Sequence, residues 1–369
     1  TNALFTKMVS KALGKRRNEI EFSANKSLID IVSDISSTFN KIFHTKDEPD
    51  EKLIDETVNE VLSDSLVRKI KEKDYEFKSV ITEKNLNFLL RTLAKKNSSP
   101  GIDGLPYFFY WTFKKELKKI LVHLFNEFLE TGRKPASSCV SLVRLIPKKA
   151  ITMKADELRP ISLLNTDIKI FEHLMKMQLA NIVKAYAPKT QYGFINKRYI
   201  QFPIIIHKYI IMDKFENSNC IQTDFTKAFD SVTHHSIYAI LERLQINKDL
   251  IKAVKLVLGK RCMTLMFNNF YVKNIIANRG VPQGSVVAPF LFILVNELIS
   301  KYVAKNCPDP IKIGRNQIST VSFTDDNSFY TFSEQGIGFI LDTCLKFGKI
   351  TGLVLNQKKT IMLIRRDRT

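Results

Sequence analysis

Apolar side chains recur at intervals of three and four residues in several stretches of this chain, and that spacing is typical of amphipathic helices. Such stripes run through residues 107–130 and 167–185. Residues 290–298 are apolar on nearly every side, which predicts a buried helix. Two more helices are predicted on either side of residue 247, where Asn247 is placed to cap the second of them.

Shorter apolar runs between these helices predict strands. They lie at Ser141–Ile146, Cys220–Phe225, Cys262–Phe267, Phe270–Ile276, Val321–Phe323 and Phe329–Phe332. The third and fourth runs flank Asn268 and Asn269, so they form a hairpin. Because hairpins alternate with helices along the chain, we expect an α+β fold in which a sheet is covered on one face.

The composition indicates a globular protein with an anionic partner. The 369 residues are enough for two or three packed subdomains. The formal net charge is +20, from 57 Lys and Arg against 37 Asp and Glu. A surplus of this size favours nucleic acid or an anionic membrane surface as the partner, with a merely solubilising charge as the alternative.

Other compositional signals exclude several classes. The five cysteines are far apart and form no Cys-x-x-Cys pair, which argues against a zinc site or a disulfide framework and favours a reducing compartment. No apolar run is long enough for a membrane helix, and no signal peptide is visible. The chain begins with Thr, so we interpret it as a fragment of a longer polypeptide.

Carboxylates at strand ends are the first candidates for chemistry. Asp224 follows a short strand, and Asp325 and Asp326 stand side by side in the turn FTDDNS. If the two strands pair in one sheet, three carboxylates converge and repel one another. Two Mg²⁺ ions would relieve that repulsion and could hold the attacking and leaving oxygens of a phosphoryl transfer. Taken singly, each piece has an ordinary alternative, a solvated strand end or a polar turn.

The loop in RGVPQGSVVAPF, which leads into the buried helix, is a second candidate. Gln283 offers an amide that can hydrogen-bond a base or a sugar. Gly284 allows backbone to approach a ligand closely. The alternative is a plain turn from strand to helix.

These pieces stand in the order and rough spacing of motifs A to D of reverse transcriptases: DFTKAFDSV, RGVPQGSVVAPFLF, FTDD and TGLVLNQKKT. Upstream, SPGIDGLP, LIPKK, RPISLLNTDIKIF and QYGF resemble finger motifs of non-LTR (LINE-type) retrotransposon reverse transcriptases. The resemblance covers residues 97–362. It implies a right-hand polymerase with fingers and palm, in which an antiparallel palm sheet packs on helices. On this basis we predict an N-terminal helical extension or linker at 1–95, fingers at 96–215 and a palm at 216–369, with the thumb largely absent.

The resemblance implies a catalytic role for four residues. Asp224 and Asp325 bind two metal ions, with Asp326 adjacent to them. The ions are Mg²⁺, with Mn²⁺ as an alternative. Lys359, in the N-x-x-K-T pattern of NQKKT, lies near the pyrophosphate leaving group, and its neighbour Lys358 is a one-residue alternative.

The resemblance also implies a binding site for the incoming dNTP. Lys148 and Arg159 hold the triphosphate, Lys as a point charge and Arg as a bidentate fork. Gln283 and Gly284 line the nucleotide and template pocket. Phe229 stands where the family places an aromatic gate against the 2′-hydroxyl, which favours deoxynucleotides. For the cations, the alternative is a solvated surface charge.

The sequence departs from the family pattern at three places. Thr324 replaces the small Ala that usually precedes the paired aspartates, Leu158 stands where Trp often precedes Arg-Pro, and INKRYIQF lacks the Gly expected after QYGF. None of these removes a metal ligand. We expect Thr324 to be tolerated at some cost in rate.

The favoured function is therefore an RNA-directed DNA polymerase that works on an RNA template, a DNA primer and dNTPs. The first alternative is a basic nucleic-acid-binding fragment or repurposed protein, derived from such an enzyme but without turnover. The second is a viral RNA-dependent RNA polymerase, against which Phe229 argues.

We expect no membrane association and an intracellular location in the nucleus, the cytoplasm or both, although KRR at 15–17 is too short for a clear nuclear signal. The sequence gives no oligomeric state.

Overall fold

The computed structural model of the chain describes residues 27–44, 50–73, 76–94, 98–148, 154–214, 218–313 and 315–364. The KRR stretch at 15–17 and Lys149 of LIPKK lie outside these ranges. The α-helices are α1 (Leu28–Phe43), α2 (Glu51–Val61), α3 (Asp64–Lys71), α4 (Glu83–Leu93), α5 (Tyr107–Thr112), α6 (Lys114–Thr131), α7 (Ala136–Cys139), α8 (Thr166–Tyr186), α9 (Gln201–Lys208), α10 (Ala228–Ser231), α11 (His234–Arg243), α12 (Lys248–Leu258), α13 (Ala288–Asn306) and α14 (Glu334–Thr351).

The strands are β1 (Val140–Pro147), β2 (Leu158–Leu163), β3 (Asn219–Thr223), β4 (Arg261–Phe267), β5 (Phe270–Ala277), β6 (Ile311–Ile313), β7 (Asn316–Ile318), β8 (Thr320–Phe323), β9 (Asp326–Thr331) and β10 (Ile361–Leu363). The expected α+β class is therefore confirmed. The chain divides into two compact units, which are interleaved along the sequence.

The first unit contains the described residues within Thr1–Lys46, Tyr75–Met177 and Asn247–Ala288. Its sheet has the strand order β2-β1-β4-β5. One face of this sheet is buried by α1, whose Ile35 and Phe39 contact a core that includes Val143, Leu265 and Ile275. The burial of these apolar side chains fixes the sheet against the helix.

Two features of the first unit differ from the sequence prediction. Strands β1 and β4 pair in parallel, so this sheet is mixed. The predicted helix at 107–130 is interrupted at Phe113, whose φ of −97° and ψ of 26° are not helical. The buried face of α6 accordingly uses Phe125 and Phe128, which pack on Phe171 of α8, while Phe113 and Ile120 are exposed.

The second unit contains the described residues within Asp47–Asp74, Gln178–Ile246 and Pro289–Thr369. Its main sheet is antiparallel throughout, with the strand order β10-β3-β9-β8. Helices α9 and α14 pack against strands of this sheet. The residues of α13 from 290 to 300 are buried on all sides, as the sequence predicted. The predicted hairpin of strands around FTDD is present as β8 and β9.

All five cysteines are free thiols. None of the helices in the described ranges combines the length and apolar character that a membrane crossing needs. The boundaries predicted at 95/96 and 215/216 do not coincide with the boundaries of the two compact units. They stay predictions.

The Asn247 cap of α12 gives the first testable prediction. Its side-chain oxygen accepts hydrogen bonds from the backbone N–H groups of Asp249 and Leu250, at 3.0 and 3.4 Å. We expect Asn247→Ala to lower the free energy of unfolding by about 1 kcal/mol, because two N–H groups lose their acceptor. Urea denaturation measures the change. Asn247→Asp, which keeps an oxygen in place, is the control, and an equal loss in both variants would contradict the capping role.

Candidate active site

The predicted site residues divide between the two units. The second unit holds the three carboxylates with Phe229 and Lys359, and the first holds Lys148, Arg159, Gln283 and Gly284. The structure brings members of each set together within its own unit.

The paired aspartates occupy a tight turn in the second unit. Phe323 of β8 pairs with Asp326 of β9, so Thr324 and Asp325 form a two-residue connection. On the other side of β9, Thr223 of β3 pairs with Asn327. Because β3 ends there, Asp224 follows at the level of Asp326. Strand pairing therefore joins the two carboxylate motifs as the sequence analysis expected.

The three carboxylates influence one another electrically. Burial raises the pKa of the Asp325 carboxyl, and the negative charges of Asp326 and Asp224 raise it further. Burial and the charge of Asp224 likewise raise the pKa of Asp326, while the ammonium group of Lys359 opposes that rise. The end of this sheet thus carries more negative charge than the nearby cation neutralises.

Asp224 has two polar side-chain partners from the segment after α14. The Lys359 ammonium lies 3.2 Å from Asp224 Oδ2, and Asn356 Nδ2 donates to the same oxygen at 3.0 Å. Backbone contacts hold this segment in place, since Thr226 N–H donates to Val354 O and Asn356 N–H donates to Asp224 O. Of the two neighbouring lysines considered for this motif, Lys359 is the one that forms an ion pair with Asp224.

The carboxylates fit a divalent cation in donor chemistry. Hard oxygen ligands suit Mg²⁺ or Mn²⁺, and the excess negative charge favours a bound cation. Among the described residues, no three His, Cys, Asp or Glu side chains are grouped as a ready metal site. In this structure the Asp224 carboxylate contacts Lys359 and Asn356. The residues that would hold the cation are Asp224, Asp325 and Asp326.

Phe229 lies on the short helix α10 and has a fixed orientation. Its ring stacks on Phe292 of α13, with the centroids 4.5 Å apart and the planes inclined by 9°. Phe292 is fully buried. The Phe229 ring is thus half-buried and packs face to face on a buried partner.

In the first unit, Lys148 and Arg159 lie at the same end of one hairpin. Arg159 of β2 pairs with Ile146 of β1, and the backbone N–H of Lys148 donates to Glu157 O. Both residues are exposed. The strand register therefore places the two cationic residues at the same end of the β1–β2 hairpin.

The loop at Gln283 and Gly284 packs against β2. Gln283 O accepts a hydrogen bond from Ser162 N–H at 2.6 Å. Gly284 has φ of +120° and lies so close to Ser162 O that a Cβ atom has no space. Glycine is needed here for the contact between loop and strand. The sequence analysis expected the close approach but assigned it to a ligand.

The sequence analysis missed the residue that anchors this loop. Glu172 of α8 is fully buried, and its carboxylate accepts hydrogen bonds from Ser285 Oγ at 2.9 Å and Val286 N–H at 2.7 Å. Burial raises the pKa of Glu172 to about 7, against the bonds from Val286 and Ser285 and the charges of Lys134 and Lys169. An acidic residue on the apolar stripe of a predicted helix was the available signal.

Buried polar residues on α13 were missed as well. Asn296 and Asn327 exchange a pair of side-chain hydrogen bonds, at 3.1 and 2.9 Å. Glu297, the next residue, is also fully buried. Asn296 and Glu297 are neighbours in a run that is otherwise apolar. These two adjacent polar residues are the signal that the sequence offered.

The buried Glu172 gives a prediction of pH dependence. Its pKa is about 7 when folded against an ordinary value of 4.5. The folded state therefore binds this proton more tightly, and the resulting stability is complete below pH 4.5 and is lost as the pH rises through 7. We expect wild type to lose roughly 3 kcal/mol relative to Glu172→Gln between pH 4 and 8.

Urea denaturation at each pH measures this difference. Glu127→Gln, which removes an exposed carboxyl from α6 in the same unit, is the matched control and is expected to follow wild type. Parallel pH curves for wild type and Glu172→Gln would contradict the assignment.

Comparison with known proteins connects these geometries to a family. A family model described as "Reverse transcriptase (RNA-dependent DNA polymerase)" matches residues 146–367, which is more than half of the chain. That match includes all three carboxylates and every other predicted site residue.

Individual relatives agree with this match. The chain is 26% identical over 289 residues to the Pol polyprotein from type-2 retrotransposable element R2DM of Drosophila melanogaster, covering 76% of this chain and 26% of the relative. It is 24% identical over 271 residues to the Pol polyprotein from retrotransposable element R2 of Popillia japonica, covering 73% and 37%. It is 24% identical over 279 residues to the "Probable RNA-directed DNA polymerase from transposon BS" of Drosophila melanogaster, covering 74% and 31%.

The chain thus spans about a quarter to two fifths of the length of these relatives. The resemblance to reverse transcriptases of non-LTR retrotransposons, inferred from the motifs, is confirmed. This chain belongs to the reverse transcriptase family.

Proposed function

We propose that this chain is the RNA-directed DNA polymerase segment of a LINE-type retroelement. The observation that carries the proposal is the strand register that sets Asp224 beside the Asp325–Asp326 turn, with Lys359 on Asp224. Acidic groups from separate motifs at one sheet end suit the transfer of a nucleotidyl group. The family match and the printed names of the relatives support the same assignment.

In the proposed reaction, the 3′-hydroxyl oxygen of a DNA primer forms a bond to the α-phosphorus of a dNTP. The bond from that phosphorus to the bridging oxygen breaks, and pyrophosphate leaves. Bound Mg²⁺ or Mn²⁺ would lower the pKa of the primer hydroxyl and neutralise the leaving group. The cations would be held by the carboxylates of Asp224, Asp325 and Asp326. Lys359 would contact the pyrophosphate as it leaves. Positioning supplies most of the rate.

The proposal keeps the nucleotide-binding roles that the motifs imply for individual residues. Lys148 and Arg159 hold the triphosphate, and Gln283 and Gly284 line the pocket for the base pair. Phe229 excludes the 2′-hydroxyl. In this proposal the right-hand architecture places fingers at 96–215 and the palm at 216–369, and the antiparallel sheet of β3, β8, β9 and β10 is the palm sheet.

The proposed partners follow from the same chemistry. An RNA template and a DNA primer are polyanions, and the net charge of +20 suits both. Such partners lie in the nucleus or the cytoplasm. The alternative of a non-catalytic nucleic-acid-binding protein keeps the charge but needs none of the carboxylate geometry. An RNA-dependent RNA polymerase needs the carboxylates but not a rigid aromatic gate.

The carboxylates provide the direct test. With primed poly(rA), dTTP and Mg²⁺, we expect Asp224→Asn and Asp325→Asn each to slow primer extension by about 10²–10³-fold or more. The reason is that each substitution removes a charge needed to hold the cations. Gel-resolved extension with full-length chain measures the rate, and circular dichroism checks the fold.

Asp342→Asn is the control, because Asp342 is an exposed carboxylate on α14 in the same unit. It is expected to extend primers as wild type does. Primer extension by Asp224→Asn at the wild-type rate would contradict the proposal. A wild type that binds primed template but never extends it would favour the non-catalytic alternative.

Phe229 provides the test of sugar selection. We expect Phe229→Val to raise incorporation of rNTP relative to dNTP by about 10- to 100-fold, because the smaller side chain leaves room for a 2′-hydroxyl. The ratio of kcat/KM for UTP and dTTP measures the change. Phe332→Val, at an exposed aromatic position of the same unit, is the control. If wild type accepted UTP and dTTP equally well, the gate would not exist.

A further inference from the structure

The turn that carries the paired aspartates contains an unfavourable backbone conformation. Thr324 has φ of +62°, in the left-handed region. Two-residue hairpin turns require this conformation at their first position, and Gly, Asn or Asp normally supplies it. A β-branched residue adopts it only at a cost, so the surroundings must hold Thr324 there. Thr324 is buried and is not relaxed by solvent.

A single buried side chain contacts both polar groups of the Thr324 backbone. Gln191 Oε1 accepts from Thr324 N–H at 2.9 Å, and Gln191 Nε2 lies 3.4 Å from Thr324 O. Asn296 Nδ2 donates to the same carbonyl at 3.0 Å. Gln191 and Asn296 are both fully buried. The hydrogen bonds to Thr324 are therefore shielded from water. In such a low-dielectric interior a hydrogen bond is electrostatically stronger than in water.

Glu297 fixes the orientation of the Gln191 amide. Gln191 Nε2 donates to Glu297 Oε1 at 2.6 Å. The NH₂ group of the Gln191 amide therefore faces Glu297, and Gln191 Oε1 is directed at Thr324 N–H. That oxygen also accepts from Gly193 N–H at 2.8 Å. Burial raises the pKa of Glu297, against the hydrogen bond from Gln191 and the charges of Lys301 and Arg198.

The backbone around Gln191 is itself attached to β8. Tyr192 N–H donates to Ser322 O at 2.8 Å, and Ser322 N–H donates to Thr190 O at 2.9 Å. Gly193 lies against Thr324 so closely that a Cβ atom would collide with its Oγ1 and N atoms. Hydrogen bonds and close packing thus join the QYGF segment to the aspartate turn within the second unit.

We propose that Gln191, oriented by Glu297, is a positioning residue that holds Thr324 in its left-handed conformation and so sets the direction in which Asp325 leaves the turn. This inference rests on the proposed polymerase function for its catalytic consequence. Gln191 acts through the backbone of Thr324 and touches no reacting group. The alternative is that the buried amide stabilises the fold without affecting the turn.

The two readings separate in a double-mutant cycle. Gln191→Met keeps the length of the side chain and removes its hydrogen bonds. We expect kcat for dTTP to fall by about 10²-fold, with KM changed by less than about twofold, because the carboxylate is misplaced while nucleotide contacts remain. Thr324→Gly adopts a positive φ without strain. The variant Gln191→Met/Thr324→Gly is therefore expected to recover about 10-fold or more of the lost kcat.

Gln178→Met is the matched control, because Gln178 is another fully buried glutamine of the second unit. It is expected to lower stability without a selective loss of kcat and without recovery by Thr324→Gly. A wild-type kcat in Gln191→Met would overturn the proposal. The effect of Thr324→Gly alone is first measured and corrected for. If Gln191→Met and Gln191→Met/Thr324→Gly then have the same kcat, the proposal is also overturned.

Amide hydrogen exchange tests the positioning without reference to activity. In the full chain, Gln191→Met is expected to increase exchange at Thr324 N–H by about 10-fold or more, while the Gln178→Met variant leaves it unchanged. Unchanged protection of Thr324 in Gln191→Met would overturn the inference even if the wild type were an active polymerase. An inactive wild type with the predicted loss of protection would overturn only the proposed function.

Discussion

The mutual repulsion of three carboxylates at one end of an antiparallel sheet is the constraint on which the second unit depends. Burial and neighbouring negative charge both disfavour ionised Asp325, so the arrangement is costly for folding alone. Lys359 and Asn356 offset part of that cost at Asp224. The turn that carries Asp325 is held by hydrogen bonds between the buried amides of Asn296 and Gln191 and the Thr324 backbone.

Local patterns in the sequence predicted most elements and the pairing of the carboxylate motifs. The run around Asn268, the cap at Asn247 and the apolar stretch at 290–298 each depend on neighbours within a few residues, so their signals are complete in the sequence. Asp224 and Asp325 are 101 positions apart, yet strand ends that carry acids in motif order were enough to expect them together. The roles that the motifs imply for individual residues stay predictions.

The remainder could not be predicted because it depends on partners far apart in the chain. Periodicity shows which face of a strand is apolar, but not that β1 pairs with β4 in parallel. Hydropathy marks α13 as buried, but not that Asn296 and Glu297 are buried with it. Periodicity likewise does not show the break at Phe113, since aromatic residues on both sides of it fit a continuous helical stripe. In each case tertiary contacts decide between local alternatives of similar free energy.

The two motif glycines show how a residue that suggests ligand binding can be required by packing first. Gly284 lies on the Ser162 carbonyl and Gly193 lies on Thr324, and neither position has space for a Cβ atom. A Cβ atom at Gly193 would meet the backbone N and Cα atoms of Thr324 as well as its Oγ1 atom, so the packing itself requires glycine there. A left-handed β-branched residue beside the aspartates persists because a glycine makes room for it and a buried glutamine satisfies its backbone.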